Sequence, residues 1–405
     1  APPMSVRGAA AASRPQAPAP FVAAPQLGLY LQLASHGLNP SRLQRLRCRA
    51  PSSRLKSQRH ARAAPAVAAM AAPTNVKMLV VSGPSSPELE VLKKLPPSVE
   101  VLKVGQRLAD FASLSEEQWA SISVVLNCGV GPNAGKKADI QEIWPKLSNL
   151  KWMHSSSAGL ENLLFPELMN SDVVLTNAKG VYSNSLAEFA IMACKWFAMD
   201  GPRLLRAKAA RKWAPYDVEE LRGKTLGVVG LGDIGKAVAQ LASTYKMHVL
   251  GLRRNTTLSA DEATFVERIF APDNICDMVS QCDYVVAATP YTPATHGIVS
   301  AAAVNAMRSN CVFVNVGRGK CVDEPALIAA LYERRIKGAA LDVFAKEPLP
   351  EDSPLWGLDN VLMSPHCADI TKDFQFDTLD FFVANMGRFL KGMELRNVCD
   401  KRRGY

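Results

Sequence analysis

The chain has 405 residues, enough for two ordinary domains with extensions, and 48% hydrophobic with 21% charged residues is typical of a globular protein. The formal net charge of +10 suggests a polyanionic partner, but the first 75 residues hold nine Arg, one Lys and no acidic residue. The remainder carries 37 basic and 37 acidic residues, so we expect no nucleic-acid partner. No apolar run is long enough to span a membrane, and we expect no membrane association.

Residues 1–72 form a segment rich in Ala, Ser, Pro and Arg. This composition is typical of an organelle transit peptide. It resembles plastid leaders, so we expect a chloroplast location, the stroma; a mitochondrial leader and a disordered basic tail that stays on the mature protein are the alternatives. Residues 67–69 offer a processing point, and Met70 is a candidate start for a shorter product.

The nine cysteines show no C-x-x-C spacing and no His/Cys cluster, which predicts reduced, mostly buried thiols and no metal site.

Strand and helix signals alternate after the leader. Five apolar runs of strand length occur, with a helical stretch at 87–95 after the first, so this half predicts a parallel α/β sheet. The runs are 76–82, 100–104, 122–127, 150–154 and 172–176.

A second series of six runs begins at Thr225, and six is the number of strands in a full Rossmann sheet. The runs are 225–230, 247–252, 283–289, 311–316, 338–343 and 361–363. A long helical segment near Ser185 separates the two series. The final helix, 373–391, has no sheet of its own to cover, so we expect it to pack on the first domain.

Between the first run and a helical pattern at 236–245 lies a glycine-rich turn, GLGDIG. Its first glycine allows the tight turn, its second lets the backbone approach a pyrophosphate, and its third lets helix and strand pack closely. The free N–H groups of the helix N-terminus favour the phosphate charge. The alternative is a Gly-rich turn without a ligand. The predicted dinucleotide contacts are Gly230, Gly232, Asp233, Ile234 and Gly235.

We therefore predict an α/β protein of two parallel-sheet domains. A flavodoxin-like substrate domain comprises residues 73–180 and 367–405. A doubly wound NAD(P)-binding Rossmann domain comprises residues 181–366.

Five segments together resemble the D-isomer-specific 2-hydroxyacid dehydrogenases: 221–235 (LRGKTLGVVGLGDIG), 289–295 (TPYTPAT), 314–331 (VNVGRGKCVDEPALIAAL), 338–350 (GAALDVFAKEPLP) and 353–366 (SPLWGLDNVLMSPH). The resemblance covers nearly everything from Val76 onward. It implies a cofactor domain inserted into the substrate domain, which agrees with the discontinuity above. It also implies a homodimer through the cofactor domain, with Trp196 and Phe197 as candidate contacts, although core packing explains these aromatics equally well.

Hydride transfer to the C2 of a 2-oxo acid requires a cation for the carboxylate and carbonyl, and an acid for the developing alkoxide. Arg318 follows the run 311–316 and offers a planar cationic fork. His366 follows the last run and is the predicted proton donor, with Glu347 beside it to raise its pKa. All three follow carboxyl ends of strands, where open α/β sheets bind ligands. Formate dehydrogenases of the superfamily resemble this pattern but carry Gln at the position of Glu347, which favours oxo-acid reduction.

The resemblance implies further contacts. Backbone N–H groups of Ala158 and Gly159 would bind the substrate carboxylate; Thr289 and Pro290 would line the ribose and nicotinamide, Val316 the crevice floor, and Asp342 the carboxamide. Arg253 stands where NAD enzymes place an acid. With Arg254 it would suit a 2′-phosphate, so we expect NADPH to be preferred, with NADH possible.

Two departures from the family pattern stand out. Asp233 replaces a frequent Arg and cannot contact the pyrophosphate favourably, so backbone contacts must carry more of the binding. Asp369 replaces a usual Gly, and it could narrow the mouth of the site, tune His366 or face water. The expected function is NADPH-dependent reduction of a small 2-oxo acid, glyoxylate or hydroxypyruvate. The alternatives are a dinucleotide-binding sensor or interaction protein and a formate- or phosphite-type dehydrogenase.

Overall fold

The computed structural model describes residues 73–129 and 134–404. The predicted leader, its processing point and Met70 lie outside the described residues. Within the described part, the strands form one five-stranded and one seven-stranded sheet, and all pairs of neighbouring strands are parallel. The fold class predicted from the sequence is confirmed.

The first sheet has the order β2-β1-β3-β4-β5, the flavodoxin order. Its strands are β1 (Val76–Val81), β2 (Val99–Gly105), β3 (Ile122–Asn127), β4 (Trp152–Ser155) and β5 (Val174–Asn177). The connections contain helices α1 (Glu116–Ser121), α2 (Lys137–Ile143) and α3 (Pro166–Asn170) and the 3-10 helices Pro87–Lys94, Leu108–Phe111 and Trp144–Lys146.

The second sheet has the order β12-β11-β10-β9-β6-β7-β8. Its strands are β6 (Thr225–Val229), β7 (His248–Leu252), β8 (Arg268–Phe270), β9 (Tyr284–Ala287), β10 (Val312–Asn315), β11 (Gly338–Leu341) and β12 (Val361–Met363). The prediction of six strands was wrong, because β8 contains only two apolar residues, Ile269 and Phe270, and leaves no recognisable run. The strand order reverses between β6 and β9, and such a switch point opens a ligand crevice.

The helices of the second half are α4 (Ser183–Ala198), α5 (Gly201–Ala209), α6 (Asp233–Thr244), α7 (Ile275–Val279), α8 (Ala301–Ala306) and α9 (Glu324–Tyr332), with 3-10 helices Glu262–Thr264, Pro272–Asn274, Gly319–Cys321 and Pro354–Gly357. Each sheet is covered on both faces, which is why its strands read as continuous apolar runs. Val228 lies in one core and its neighbour Val229 in the core on the opposite face.

The last helix, α10 (Phe374–Leu390), packs on the first sheet. Phe382 is fully buried and stacks on Trp152 of β4, with ring centroids 5.2 Å apart. Beyond the helix, the N–H of Cys399 donates to the carbonyl of Leu175 in β5 at 2.8 Å. The chain thus returns to the sheet that it built first.

Most cysteines in the described part are buried free thiols, as expected, but Cys276 is disulfide-bonded. The expectation of a reduced thiol was wrong for Cys276. Among the described residues, no helix has the length and apolar character needed to cross a bilayer.

Candidate active site

The turn after β6 has the geometry of a phosphate-binding loop. Gly230 has a φ of 96°, a conformation that only glycine adopts readily. A Cβ on Gly235 would lie 2.2 Å from the carbonyl oxygen of Gly230, so helix α6 packs directly on the turn. A Cβ on Gly232 would meet nothing within 4 Å. The backbone at Gly232 therefore faces open space at the N-terminus of α6, where an anion is favoured.

A dinucleotide fits the residues around this turn. Thr289 follows β9, and its Cγ2 lies 2.6 Å from the position a Cβ on Gly230 would take. Its Oγ1 is buried and has no hydrogen-bond partner within the described part of the chain. Such an orphaned hydroxyl is explained by a ligand that completes it. Next to Thr289, Pro290 is exposed, whereas Val316 is only 3% exposed at the end of β10.

Asp233 has a partner from the other sheet. Its carboxylate lies 3.1 Å from Nζ of Lys179, which follows β5. The Lys179 carbonyl accepts a hydrogen bond from the side chain of Asn397, which fixes the backbone there. Lys179 thus places a cation beside the glycine turn, where the sequences that this chain resembles often carry an Arg at position 233. This cation comes from a distant segment of the chain.

Arg253 does not stand free at the end of β7. It donates two hydrogen bonds to the carboxylate of Glu262, at 2.5 and 2.8 Å, and two more to the carbonyls of Asn255 and Thr257. Lys236 of α6 reaches the same carboxylate at 2.9 Å. These hydrogen bonds hold the pKa of the Glu262 carboxyl well below its usual value, and the bonds from Arg253 contribute most. Arg253 therefore holds the 253–262 loop, and two cations, Arg253 and Lys236, contact one buried carboxylate.

Arg318 reaches the crevice through a loop that only glycine could build. A Cβ on Gly317 would lie 2.7 Å from the carbonyl oxygen of Thr289, and one on Gly319 would lie 1.8 Å from the carbonyl carbon of Phe344. The loop therefore passes in contact with the loops after β9 and β11. The guanidinium donates from Nη1 to the Gly317 carbonyl at 2.8 Å.

Glu347 and His366 form a hydrogen-bonded pair. Nδ1 of His366 lies 2.8 Å from Oε2 of Glu347, and Oε1 of Glu347 accepts from the N–H of Phe344 at 2.9 Å. This anchored carboxylate favours the tautomer with hydrogen on Nδ1, which leaves Nε2 for a substrate. His366 has a φ of 52°, and its N–H donates to the Asp342 carbonyl at 2.9 Å.

The buried Asp342 fixes this loop further. Its Oδ1 accepts hydrogen bonds from the N–H groups of Cys367 and Ala368 at 3.0 and 3.1 Å. This carboxylate therefore anchors the backbone beside His366. The contact of Asp342 with a carboxamide stays a prediction.

The first sheet supplies the opposite wall. The loop after β4 carries Ala158 and Gly159, and the position of a Cβ on Gly159 lies 2.2 Å from Nη2 of Arg318. The Ala158 carbonyl is held by the side chain of Asn177 at 2.6 Å. The structure thus brings the two predicted carboxylate contacts, the Ala158-Gly159 loop and Arg318, together across the crevice.

Glu161 also belongs to this wall, although no motif in the sequence pointed to it. Its carboxylate accepts a hydrogen bond from Nε of Arg318 at 2.5 Å. Asp369 lies in the same place, half-buried near His366 and Arg318; burial raises the pKa of its carboxyl. The expectation that Asp369 simply faces water is therefore wrong, and the other two expectations stay predictions. The described residues contain no cluster of His, Cys, Asp or Glu that could hold a metal ion.

Comparison with known proteins agrees with this site. The model of the D-isomer specific 2-hydroxyacid dehydrogenase, NAD binding domain, matches residues 191–368. Glyoxylate reductase of Thermofilum pendens is 32% identical over 62% of this chain and 75% of the relative. Hydroxyphenylpyruvate reductase of Plectranthus scutellarioides is 31% identical over 71% of this chain and 87% of the relative. The chain spans about half the length of the D-3-phosphoglycerate dehydrogenases it matches.

A solved structure extends the likeness. The D-isomer specific 2-hydroxyacid dehydrogenase from Xanthobacter autotrophicus Py2, in complex with NADPH and MES, is 27% identical, with a TM-score of 0.67 over 82% of this chain and all of that chain. The chain belongs to the D-isomer specific 2-hydroxyacid dehydrogenase family. It is an oxidoreductase with an NAD(P)-binding domain.

The open space at Gly232 generates a prediction. Gly232→Ala should change the free energy of unfolding by less than about 1 kcal/mol, because its φ of −90° suits Ala and the added methyl meets no protein atom. It should raise the KM for the dinucleotide by about tenfold or more, because the methyl fills the approach of the pyrophosphate. Gly357→Ala, also in open space, is the control. An unchanged KM would show that the pyrophosphate does not approach Gly232.

Proposed function

We propose that the protein is an NADPH-dependent reductase that converts a small 2-oxo acid, glyoxylate or hydroxypyruvate, into the D-2-hydroxy acid. The observation that carries this proposal is the His366–Glu347 pair, with a nitrogen–oxygen distance of 2.8 Å, in the crevice that also holds Arg318. The Thermofilum relative is a glyoxylate reductase, which supports the choice of substrate.

The residues divide the reaction between them. Arg318 would hold the substrate carboxylate and polarise the carbonyl, together with the N–H groups of Ala158 and Gly159. The bound nicotinamide supplies the hydride. His366 would donate the proton from Nε2 to the alkoxide oxygen, while Glu347 accepts from Nδ1–H and stabilises the imidazolium before the transfer. The backbone at Gly232 and the hydroxyl of Thr289 would hold the dinucleotide.

The preference for NADPH rests on charge. Lys236 and Arg253 both bond to the carboxylate of Glu262 beside the end of β7, and Arg254 follows Arg253 in the chain. A 2′-phosphate adds negative charge to this place, whereas a free ribose hydroxyl gains little from cations. The NADPH complex of the Xanthobacter relative supports the same choice. Arg254 would bind the phosphate directly, and Arg253 would contribute charge while holding the loop.

The homodimer and the plastid location are parts of the same proposal. Phe197 is buried in the core, so it is not a contact, and Trp196 is only partly buried. Exposed apolar side chains in the same region favour an interface there: Met192, Leu204, Leu205, Trp213 and Val218. Light scattering of the purified protein tests the dimer, with twice the mass of one chain as the expected result.

A fusion of residues 1–72 to a fluorescent protein tests the plastid location. We expect the signal in the plastid, and a diffuse cytosolic signal would contradict it.

Initial rates for a panel of 2-oxo acids with NADPH and NADH test the function. We expect turnover of glyoxylate or hydroxypyruvate, and His366→Ala should lower kcat by about 100-fold or more while NADPH still binds, because the proton donor is lost. His248→Ala is the matched control, since His248 also pairs with a carboxylate, Glu267 at 2.6 Å, but at the amino end of β7. NADPH binding without turnover of any 2-oxo acid would sink the proposal.

The coenzyme preference has its own test. Arg254→Ala should raise the KM for NADPH about tenfold and change the KM for NADH little, because one charge is removed from the phosphate site. Arg253 is a poorer probe, since its truncation also unpairs the buried Glu262. Arg222→Ala, an exposed residue paired with Glu220, serves as the control. Equal effects on both coenzymes, or wild-type preference for NADH, would contradict the assignment.

A further inference from the structure

The carboxylate of Glu161 occupies the place that the proposed function gives to the substrate carboxylate. Oε1 of Glu161 lies 2.5 Å from Nε of Arg318. Its two oxygens lie 2.7 and 3.1 Å from the position of a Cβ on Gly159, and Nη2 of Arg318 lies 2.2 Å from that position. The carboxylate of Glu161 therefore meets Arg318 beside the backbone of Gly159, where the substrate carboxylate would bind.

This carboxylate carries its charge at neutral pH. Burial opposes ionisation, but the charge of Arg318 and its hydrogen bond outweigh burial and hold the pKa of Glu161 below its ordinary value. The side chain is 34% exposed, so it can move into water without opening the fold. Because Nε and Nη2 form one of the two edges through which an arginine pairs with a carboxylate, an occupied Nε obstructs bidentate binding of a second carboxylate at that edge.

Glu161 is not needed to orient Arg318. The guanidinium is already held by the Gly317 carbonyl at Nη1. The backbone of Arg318 is held by Asn315, whose Nδ2 donates to the Arg318 carbonyl at 3.3 Å and whose Oδ1 accepts from the Gly317 N–H at 3.1 Å. Because contacts within its own loop already orient Arg318, the ion pair with Glu161 can serve another purpose.

We propose that Glu161 sets the affinity for the 2-oxo acid by competing with its carboxylate for Arg318. In the ligand-free enzyme the side chain neutralises Arg318, and substrate binds only when Glu161 leaves. The apparent affinity is then lower than the intrinsic affinity by the fraction of enzyme in which Arg318 is accessible. This inference rests on the proposed function, because it assumes that Arg318 binds the substrate carboxylate.

Glu161→Gln tests the competition, because it keeps the shape of the side chain and removes its charge. We expect the KM for glyoxylate with NADPH to fall about fivefold, which corresponds to the energy of a partly exposed ion pair. The rise in kcat/KM should come from the lower KM, with kcat little changed. The dissociation constant for oxalate, an unreactive dicarboxylate, should fall by a similar factor in calorimetry. Glu167→Gln, an exposed carboxylate on α3, is the matched control and should change neither quantity.

An unchanged or higher KM in Glu161→Gln would overturn the proposal, and a higher KM would instead make Glu161 a residue that positions Arg318. A crystal structure of the wild type with NADPH and oxalate gives an answer that does not depend on the variant. Oxalate on Arg318 with Glu161 displaced supports competition, and oxalate on Arg318 with Glu161 still bonded to Nε contradicts it. If the wild type reduces no 2-oxo acid, the proposed function fails, while the oxalate measurements still decide the role of Glu161.

Discussion

The crevice depends on how closely one loop passes between two others. Because β9, β10 and β11 are neighbouring parallel strands, their carboxyl ends meet at one edge of the sheet. The glycines on either side of Arg318 let its loop touch the backbones of Thr289 and Phe344. Thr289 in turn contacts the Gly230 turn, and the Phe344 N–H holds Glu347. This one packing arrangement therefore connects the dinucleotide loop, the arginine and the acid–base pair.

Ion pairs set the electrostatics of the same crevice. His366 pairs with Glu347, Arg318 with Glu161, Arg253 with Glu262, and Lys179 with Asp233. Anionic ligands thus enter a site in which Arg318, Arg253 and Lys179 already have carboxylate partners. Where the pair is buried, as at Glu262, the carboxylate shapes a loop and stays in place. Where the side chain is part-exposed, as at Glu161, the carboxylate can be exchanged for that of a ligand.

The sequence predicted what is local. The glycine turn, eleven of the twelve strands and the strand-end positions of Arg318, Glu347 and His366 all follow from patterns within short segments. The pairing of His366 with Glu347 was predicted, but the partner of Arg318 could not be, because Glu161 and Arg318 are separated by 157 residues and meet only when two sheets face each other. The ion pair between Lys179 and Asp233 was not predicted for the same reason. Arg253 was predicted from its position to contact the cofactor, and its pairing with a carboxylate nine residues on could not be predicted.

The central claim is that this crevice delivers a hydride from the dinucleotide to C2 of a 2-oxo acid. The most direct measurement uses NADPH that carries deuterium at both positions of nicotinamide C4, with glyoxylate or hydroxypyruvate, followed by mass spectrometry and, for the hydroxypyruvate product, chiral analysis. We expect one deuterium bound to C2, and glycerate of the D configuration. A product without deuterium at C2, or with the L configuration, would contradict the account.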